Sequence, residues 1–301
     1  MAELSITLFW LGAALVAASL LVQLGAALAA RVVQRSALST ATTGPGLPGG
    51  TVTLSEHRPP SAALGQLGAL LSLAAAATLA LMLVVRTIAT GAPPYANMFE
   101  YLSAFGAGVV IAAIIFERRT GQRRVGVLAM PLALVLFLVA DAVFSSDVQP
   151  LVPALQNNRL LGIHVAAMLI SYSVLGIAFV AAVLYLVQDG RNRFTWLPAA
   201  RALDELAYKA VIVAFPILGL GVALGAYWGN IAWGRYWGWD PKETTALVTW
   251  LVFAGYLHAR SLAKWRGTRA AWLVVLGFGV IVFNIFAVNF WISGLHSYAG
   301  Q

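Results

Sequence analysis

Residues 160–187 read LLGIHVAAMLISYSVLGIAFVAAVLYLV, and this stretch decides the fold class. It contains no Asp, Glu, Lys or Arg, and it carries one histidine, His164. At about 1.5 Å per residue, such a helix outspans the ~30 Å hydrocarbon core of a bilayer. Inside lipid every backbone amide and carbonyl must be satisfied within its own segment, so a span of this kind is a helix. The rest of the chain repeats the pattern: 60% of its 301 residues are hydrophobic, only 10% are charged, and the mean hydropathy is +0.83. Comparable apolar segments run over 4–30, 62–90, 95–116, 125–144, 206–228, 243–263 and 270–293. The sequence therefore predicts an all-α, polytopic integral membrane protein with about eight transmembrane helices in a lipid bilayer.

The basic residues alternate between loops. One set of loops carries Arg31, Arg35 and Arg58; Arg118, Arg119, Arg123 and Arg124; Arg191, Arg193 and Arg201; and Arg260, Lys264, Arg266 and Arg269. The intervening loops, 91–94, 145–159 and 229–242, are poor in base. By the positive-inside rule the first set is cytoplasmic, which puts both termini on the outer face of an inner (plasma) membrane. The net charge of +8 is thus explained by topology, and no basic face remains to bind nucleic acid. There is no cysteine, which excludes thiolate metal sites and cysteine nucleophiles from this chain. Residues 4–30 read as a first span rather than a cleaved signal, because the apolar run is too long and Glu3 stands where a basic region belongs. The stretch 36–61, rich in Ser, Thr, Gly and Pro, reads as a mobile linker. The chain then divides into a first helix plus linker, 1–61, and a membrane domain, 62–301.

This topology gathers chemistry on one face. Residues 226–250 read AYWGNIAWGRYWGWDPKETTALVTW, with Trp228, Trp233, Trp237 and Trp239 interspersed with glycines in an outer loop. Trp and Tyr also line membrane interfaces, but belt residues scatter over many span ends. Four indoles in one segment, with Gly229, Gly234 and Gly238 between them, offer a surface for stacking against a large flat apolar ligand. Asp240-Pro241-Lys242-Glu243 reads as a helix start: Asp at the N-cap, Pro at N1, Glu closing a capping box. His164 lies near the outer end of the fifth span and His296 follows the eighth, also outside. Alone, either reads as a plain interfacial hydrogen-bonding residue; as a pair over an aromatic shelf they fit the axial ligands of a haem iron. Zinc would need further protein ligands, which do not accompany them. His258 lies about 22 Å deeper along the seventh span. It either hydrogen-bonds a neighbouring helix or ligates a second haem, whose other ligand must then come from another protein. His57, in the linker, is incidental. Arg86, near the outer end of the second span, has three readings: it snorkels, pairs with Glu100, or meets a carboxylate such as a haem propionate; Glu100 either pairs with it or caps the third span.

The run WGRYWGWDPKETTALVTWLVFAGYLHAR resembles the WWD signature of haem-handling membrane proteins. It is most similar to the CcsA/ResC family (CcsB in some bacteria) of System II cytochrome c assembly. APPYANMFEYL (92–102), LLGIHVAAMLISYSVLGIAF (160–179) and NFWISGLHSYAG (289–300) resemble the same family. The resemblance implies that haem b, the transported substrate, is held between His164 and His296 beside the Trp228–Asp240 segment, with His258 a transmembrane ligand on the way. It implies a ResB-like membrane partner that supplies the further ligand, an apocytochrome c CxxCH segment as acceptor, and thioredoxin-like proteins that keep its thiols reduced. The chain would then be a subunit of a holocytochrome c synthase, a haem lyase complex. A System I-like haem delivery protein and a membrane haem b electron carrier are the alternatives; the latter favours two histidine pairs within the spans, which the chain lacks.

Overall fold

The structure is a computed structural model that describes residues 1–41, 60–95, 97–121, 125–148, 159–194, 197–292 and 294–295. His57, Arg58, Arg123, Arg124 and His296 lie outside the described residues. Among those described there are eight helices and no strand: α1 (Ala2–Ala41), α2 (Pro60–Thr90), α3 (Met98–Thr120), α4 (Val125–Val143), α5 (Arg159–Val187), α6 (Ala200–Trp233), α7 (Pro241–Ser261) and α8 (Thr268–Phe290). Seven are long and apolar enough to cross a membrane, so the chain is a multi-pass membrane protein. The exception is α7. Lys242, Glu243, Thr244 and Thr245 at its start, and His258 and Arg260 at its end, confine its apolar stretch to the middle.

Two expectations need correction. The linker read from 36 begins later, because α1 continues to Ala41. The outer loop read from 229 also begins later: α6 continues to Trp233 and stops at Gly234, whose φ of 73° is left-handed. No residue between 206 and 233 breaks the helix except Pro216, which α6 absorbs. Trp228 and Trp233 are therefore helical, and only Trp237 and Trp239 lie in the loop.

Helices pack as antiparallel sequence neighbours. In lipid the seams rely on close approach and on polar groups that find each other. Between α1 and α2, Gln23 Nε2 donates to Ser19 Oγ (2.9 Å) and Ser72 Oγ (3.1 Å), and the two hydroxyls bond at 2.7 Å. Phe9 on α1 meets Phe99 on α3 and Phe137 on α4. Phe179 and Phe278 stack at 4.4 Å between α5 and α8. Gly277 leaves room for the Phe253 ring between α8 and α7.

The two ends of the bundle differ. At one end Asp204, in the first turns of α6, grips Arg260 of α7 through both carboxylate oxygens, each at 2.7 Å, and accepts the Gly267 amide. The other end gathers the α2–α3, α4–α5 and α6–α7 connections. There Arg86 is buried and donates Nε to Glu100 Oε1 at 2.7 Å and Nη2 to the Ser146 carbonyl at 2.6 Å. Of the partners read for Arg86 from the sequence, the structure shows Glu100. Asn97, not Glu100, caps α3, accepting the Glu100 amide at 2.9 Å.

Breaking a buried ion pair strands a charge, at a cost of about 3–5 kcal/mol, whereas replacing both partners by apolar groups is often neutral. Arg86→Met alone is expected to lower the thermal stability of the detergent-purified protein markedly, and Arg86→Met with Glu100→Leu to recover most of it. Thermal unfolding of the two variants beside wild type checks this; equal losses in both would contradict it.

Candidate functional site

One cavity, ≈ 140 Å³, lies at the connection-rich end, between α3, α5, α6, α7 and α8. Its wall carries His164, Trp228, Trp237, Lys242 and Tyr172, with Tyr95, Asn97 and Met98 closing the side towards α3. The sequence-predicted convergence is thus found for His164 and part of the tryptophan segment.

His164 sits in the second turn of α5 and faces α6. Its Nδ1 lies 2.7 Å from the Gly221 carbonyl. A carbonyl only accepts, so Nδ1 carries the proton and the lone pair belongs to Nε2. That is the tautomer a metal-binding imidazole adopts when a carbonyl orients it. The close approach depends on Gly221 and Gly225, spaced as small residues at a transmembrane helix contact. A Cβ at 225 would sit 2.6 Å from His164 Cε1, and one at 221 would sit 2.6 Å from Met168 Sδ.

The indoles form two tiers. Trp228 is fully buried and lines the cavity, and Trp233 packs edge-on against it at 4.7 Å. Trp237 lines the cavity from the loop, and Trp239 meets it edge-on at 5.9 Å while remaining 69% exposed. Trp239 holds φ at 56°, a left-handed conformation rare for a bulky residue. It occupies the turn that leads from the loop into α7.

Asp240 starts α7 and does more than cap it. Oδ2 accepts the Lys242 amide at 3.1 Å, and Glu243 Oε2 accepts the amides of Gly238 (2.8 Å) and Asp240 (3.2 Å), completing the capping box read from the sequence. Asp240 Oδ1 accepts the amide of Leu295 at 2.6 Å, at the residue preceding His296. A Cβ at Gly294 would meet that same Oδ1 at 2.5 Å. One buried carboxylate thus ties the tryptophan loop, the start of α7 and the segment after α8.

Five of the predicted site residues, Arg86, Trp233, Trp239, Asp240 and His258, do not line the cavity. Arg86 is engaged with Glu100 and the 146–147 carbonyls, behind the α3 wall. Trp239 and Trp233 support lining indoles without lining the cavity themselves. His258 is on the last turns of α7 and faces out of the bundle. Sequence reasoning missed Lys242, Asn284 and Asn289, all of which line the cavity. The signal was there: asparagines inside an apolar span are polar groups seeking a partner. It also missed Tyr95, whose phenol burial pushes above its usual range, leaving a neutral hydroxyl at the cavity wall.

An imidazole oriented by a carbonyl, two indoles and a lysine thus share one cavity wall. Comparisons with known proteins give the family. The family described as Cytochrome C assembly protein matches residues 95–296. "Cytochrome c biogenesis protein CcsA" of Guillardia theta is 39% identical over 246 residues, covering 73% of this chain and 81% of the relative. The CcsA of Porphyra purpurea is 34% identical over 280 residues, covering 78% and 88%. That of Synechococcus elongatus is 35% identical over 273 residues, covering 73% and 83%. Among solved structures, "Cytochrome c Heme Lyase CcmF" superposes with a TM-score of 0.60 at 21% identity, over 94% of this chain and 46% of that longer one, a likeness of fold.

Gly225→Ala is expected to push the His164 ring off its carbonyl and to lower the stability of the detergent-purified protein by about 1–3 kcal/mol, the usual cost of overpacking a close contact. Gly255→Ala, at a position open on α7, is the control. Thermal unfolding of the purified proteins measures both; equal stability would show that the contact of His164 with α6 is not tight.

Proposed function

Since the chain belongs to the cytochrome c assembly family and is of the CcsA type, we propose that its cavity receives haem as a substrate and presents it for covalent attachment to apocytochrome c. The observation that carries this reading is the seating of His164: Nδ1 on the Gly221 carbonyl, the ring over Gly225, and the cavity indoles beside it.

In this reading Nε2 of His164 takes one axial position of the iron and His296 the other. The bond from Leu295 to Asp240 supports that pairing, because it anchors the segment leading into His296 to the start of α7. Trp228 and Trp237 pack along the macrocycle, and Trp233 and Trp239 hold them. Asp240 and Arg86 act by positioning: the first joins loop, helix and C-terminal segment, and the second fixes the α2–α3 end against residues 146–147. Two imidazoles would shield the iron from other ligands until the acceptor arrives.

The acceptor is the CxxCH segment of an apocytochrome. Each cysteine thiol adds across a vinyl group: a sulfur–carbon bond forms, and the thiol hydrogen ends on the other vinyl carbon. The addition needs no oxidant, but it does need reduced thiols, which a thioredoxin-like partner supplies. The acceptor's histidine then replaces one of the two clamp ligands. The reactivity belongs to haem and thiol, and the protein contributes orientation and proximity. In the same reading His258, exposed on the opposite half of α7, shares a second haem with a ResB-like membrane partner before the haem reaches the cavity.

His164→Gly and His296→Gly are each expected to reduce the haem content of the purified protein severalfold, with free imidazole restoring a substantial part. Full haem loading in both variants would refute the clamp. His258→Ala is expected to leave the affinity of the cavity for added haem unchanged while depleting haem acquired in cells. Normal acquisition in cells would remove His258 from the route.

A further inference from the structure

Resting on the haem reading above, we propose that Lys242 is the anion-binding residue of the cavity and holds a propionate of the haem. Lys242 lines the cavity together with His164, Trp228 and Trp237. It forms no ion pair among the described residues. The two carboxylates nearest in sequence are engaged with backbone amides. Asp240 accepts Lys242 N and Leu295 N, and Glu243 Oε2 accepts Gly238 N and Asp240 N. Asp240 attracts the ammonium, but its oxygens are taken by backbone amides, so an ammonium drawn into an aromatic-walled cavity without a direct ion pair is costly to the fold. A ligand that brings the opposite charge removes that cost.

The side chain is also aimed. Its Nζ donates to Asn289 Oδ1 at 2.6 Å. Asn289 Nδ2 in turn donates to the Ile285 carbonyl at 2.6 Å and lies 3.5 Å from Met98 Sδ. With its amide nitrogen turned to those partners, Asn289 presents only its oxygen to the lysine. Asn284 Nδ2 donates to the Lys242 carbonyl at 3.3 Å, fixing the base of the residue. One ammonium proton is engaged and two remain for an incoming anion. The ammonium lies in the first turn of α7, where the backbone dipole also favours negative charge.

The shape of the demand matches haem. The cavity asks for a molecule with a broad apolar face for the indoles, a metal for an imidazole nitrogen, and an anionic edge for Lys242. Propionates held at the start of α7 turn the vinyl-bearing side of the ring away from that helix. Lys242 therefore selects the carboxylate edge and sets which edge of the ring faces the acceptor.

The test compares ferric haem with haem dimethyl ester, which has the same ring, metal and vinyls but no propionate charge. Both are titrated by Soret absorbance into the full chain in detergent, as wild type, Lys242→Met, Lys242→Arg and Asn289→Asp. Wild type is expected to bind haem about tenfold more tightly than the ester, the scale of a charge-assisted hydrogen bond. Lys242→Met should bring the two within about twofold, with ester affinity unchanged, and Lys242→Arg should keep most of the preference. Asn289→Asp keeps the lysine but pairs it with a carboxylate, so it should lose the preference too, which covers the case in which Lys242→Met does not fold. A preference unchanged in Lys242→Met or in Asn289→Asp would overturn the assignment while leaving haem binding intact. Wild-type protein that binds neither porphyrin would overturn the haem reading and this inference with it.

Discussion

The Asp240 carboxylate is the interaction on which the site depends. Its two oxygens serve different elements: Oδ2 caps α7 and Oδ1 holds the amide of Leu295. Glu243 completes the arrangement by gripping the amides of Gly238 and Asp240 from inside the helix. These bonds give the tryptophan loop, which has few contacts of its own, a fixed exit and a fixed neighbour. Each is a charge-assisted bond to a backbone donor, and the one from Lys242 satisfies an amide that the start of α7 would otherwise leave unmade. The apolar mass of the bundle supplies the scaffold, and this small polar cluster sets where the aromatic surface faces.

The same logic divides the bundle along its length. Inside lipid, polar groups survive where they satisfy one another, as Gln23, Ser19 and Ser72 do in the α1–α2 seam, and the buried charged clusters stand at the two ends. One end has the Asp204–Arg260 clamp, which joins the start of α6 to the end of α7 and reaches the Gly267 turn. The other has Arg86–Glu100, the Asp240 cluster and the cavity. Between them α7 runs as the least apolar of the helices, with Lys242 near one end and His258 near the other. The site itself is built from three layers of constraint: glycines that let α5 and α6 touch, a carbonyl that orients an imidazole, and indoles that back one another edge to face.

Much of this was legible in the sequence. The spans could be read because a bilayer demands long apolar runs, and the eight segments match the eight helices to within a few residues apart from the extended ends of α1 and α6. The capping box could be read because Asp-Pro-Lys-Glu is a local signal that needs no tertiary context. The convergence of His164 with the tryptophan segment followed from alternating loop charge. The end of α6 was not legible: glycines at 225 and 229 resemble loop punctuation, yet they mark close packing against α5 and Trp233 inside a continuing helix. Arg86 stayed open in the sequence because its partner lies on another helix. Lys242 was hidden by its own surroundings, since a lysine in a helix cap reads as a solvent-facing residue until α8 places Asn289 beside it.

The central claim is that the Nε2 of His164 binds the iron of a haem lying against Trp228 and Trp237. An electron cryo-microscopy map of the haem-loaded full chain tests it most directly. Iron density bonded to His164 Nε2, with the macrocycle against those two indoles and Nδ1 still on the Gly221 carbonyl, is the expected result. A macrocycle bound elsewhere on the protein, or an empty cavity in a protein that carries haem, would contradict it.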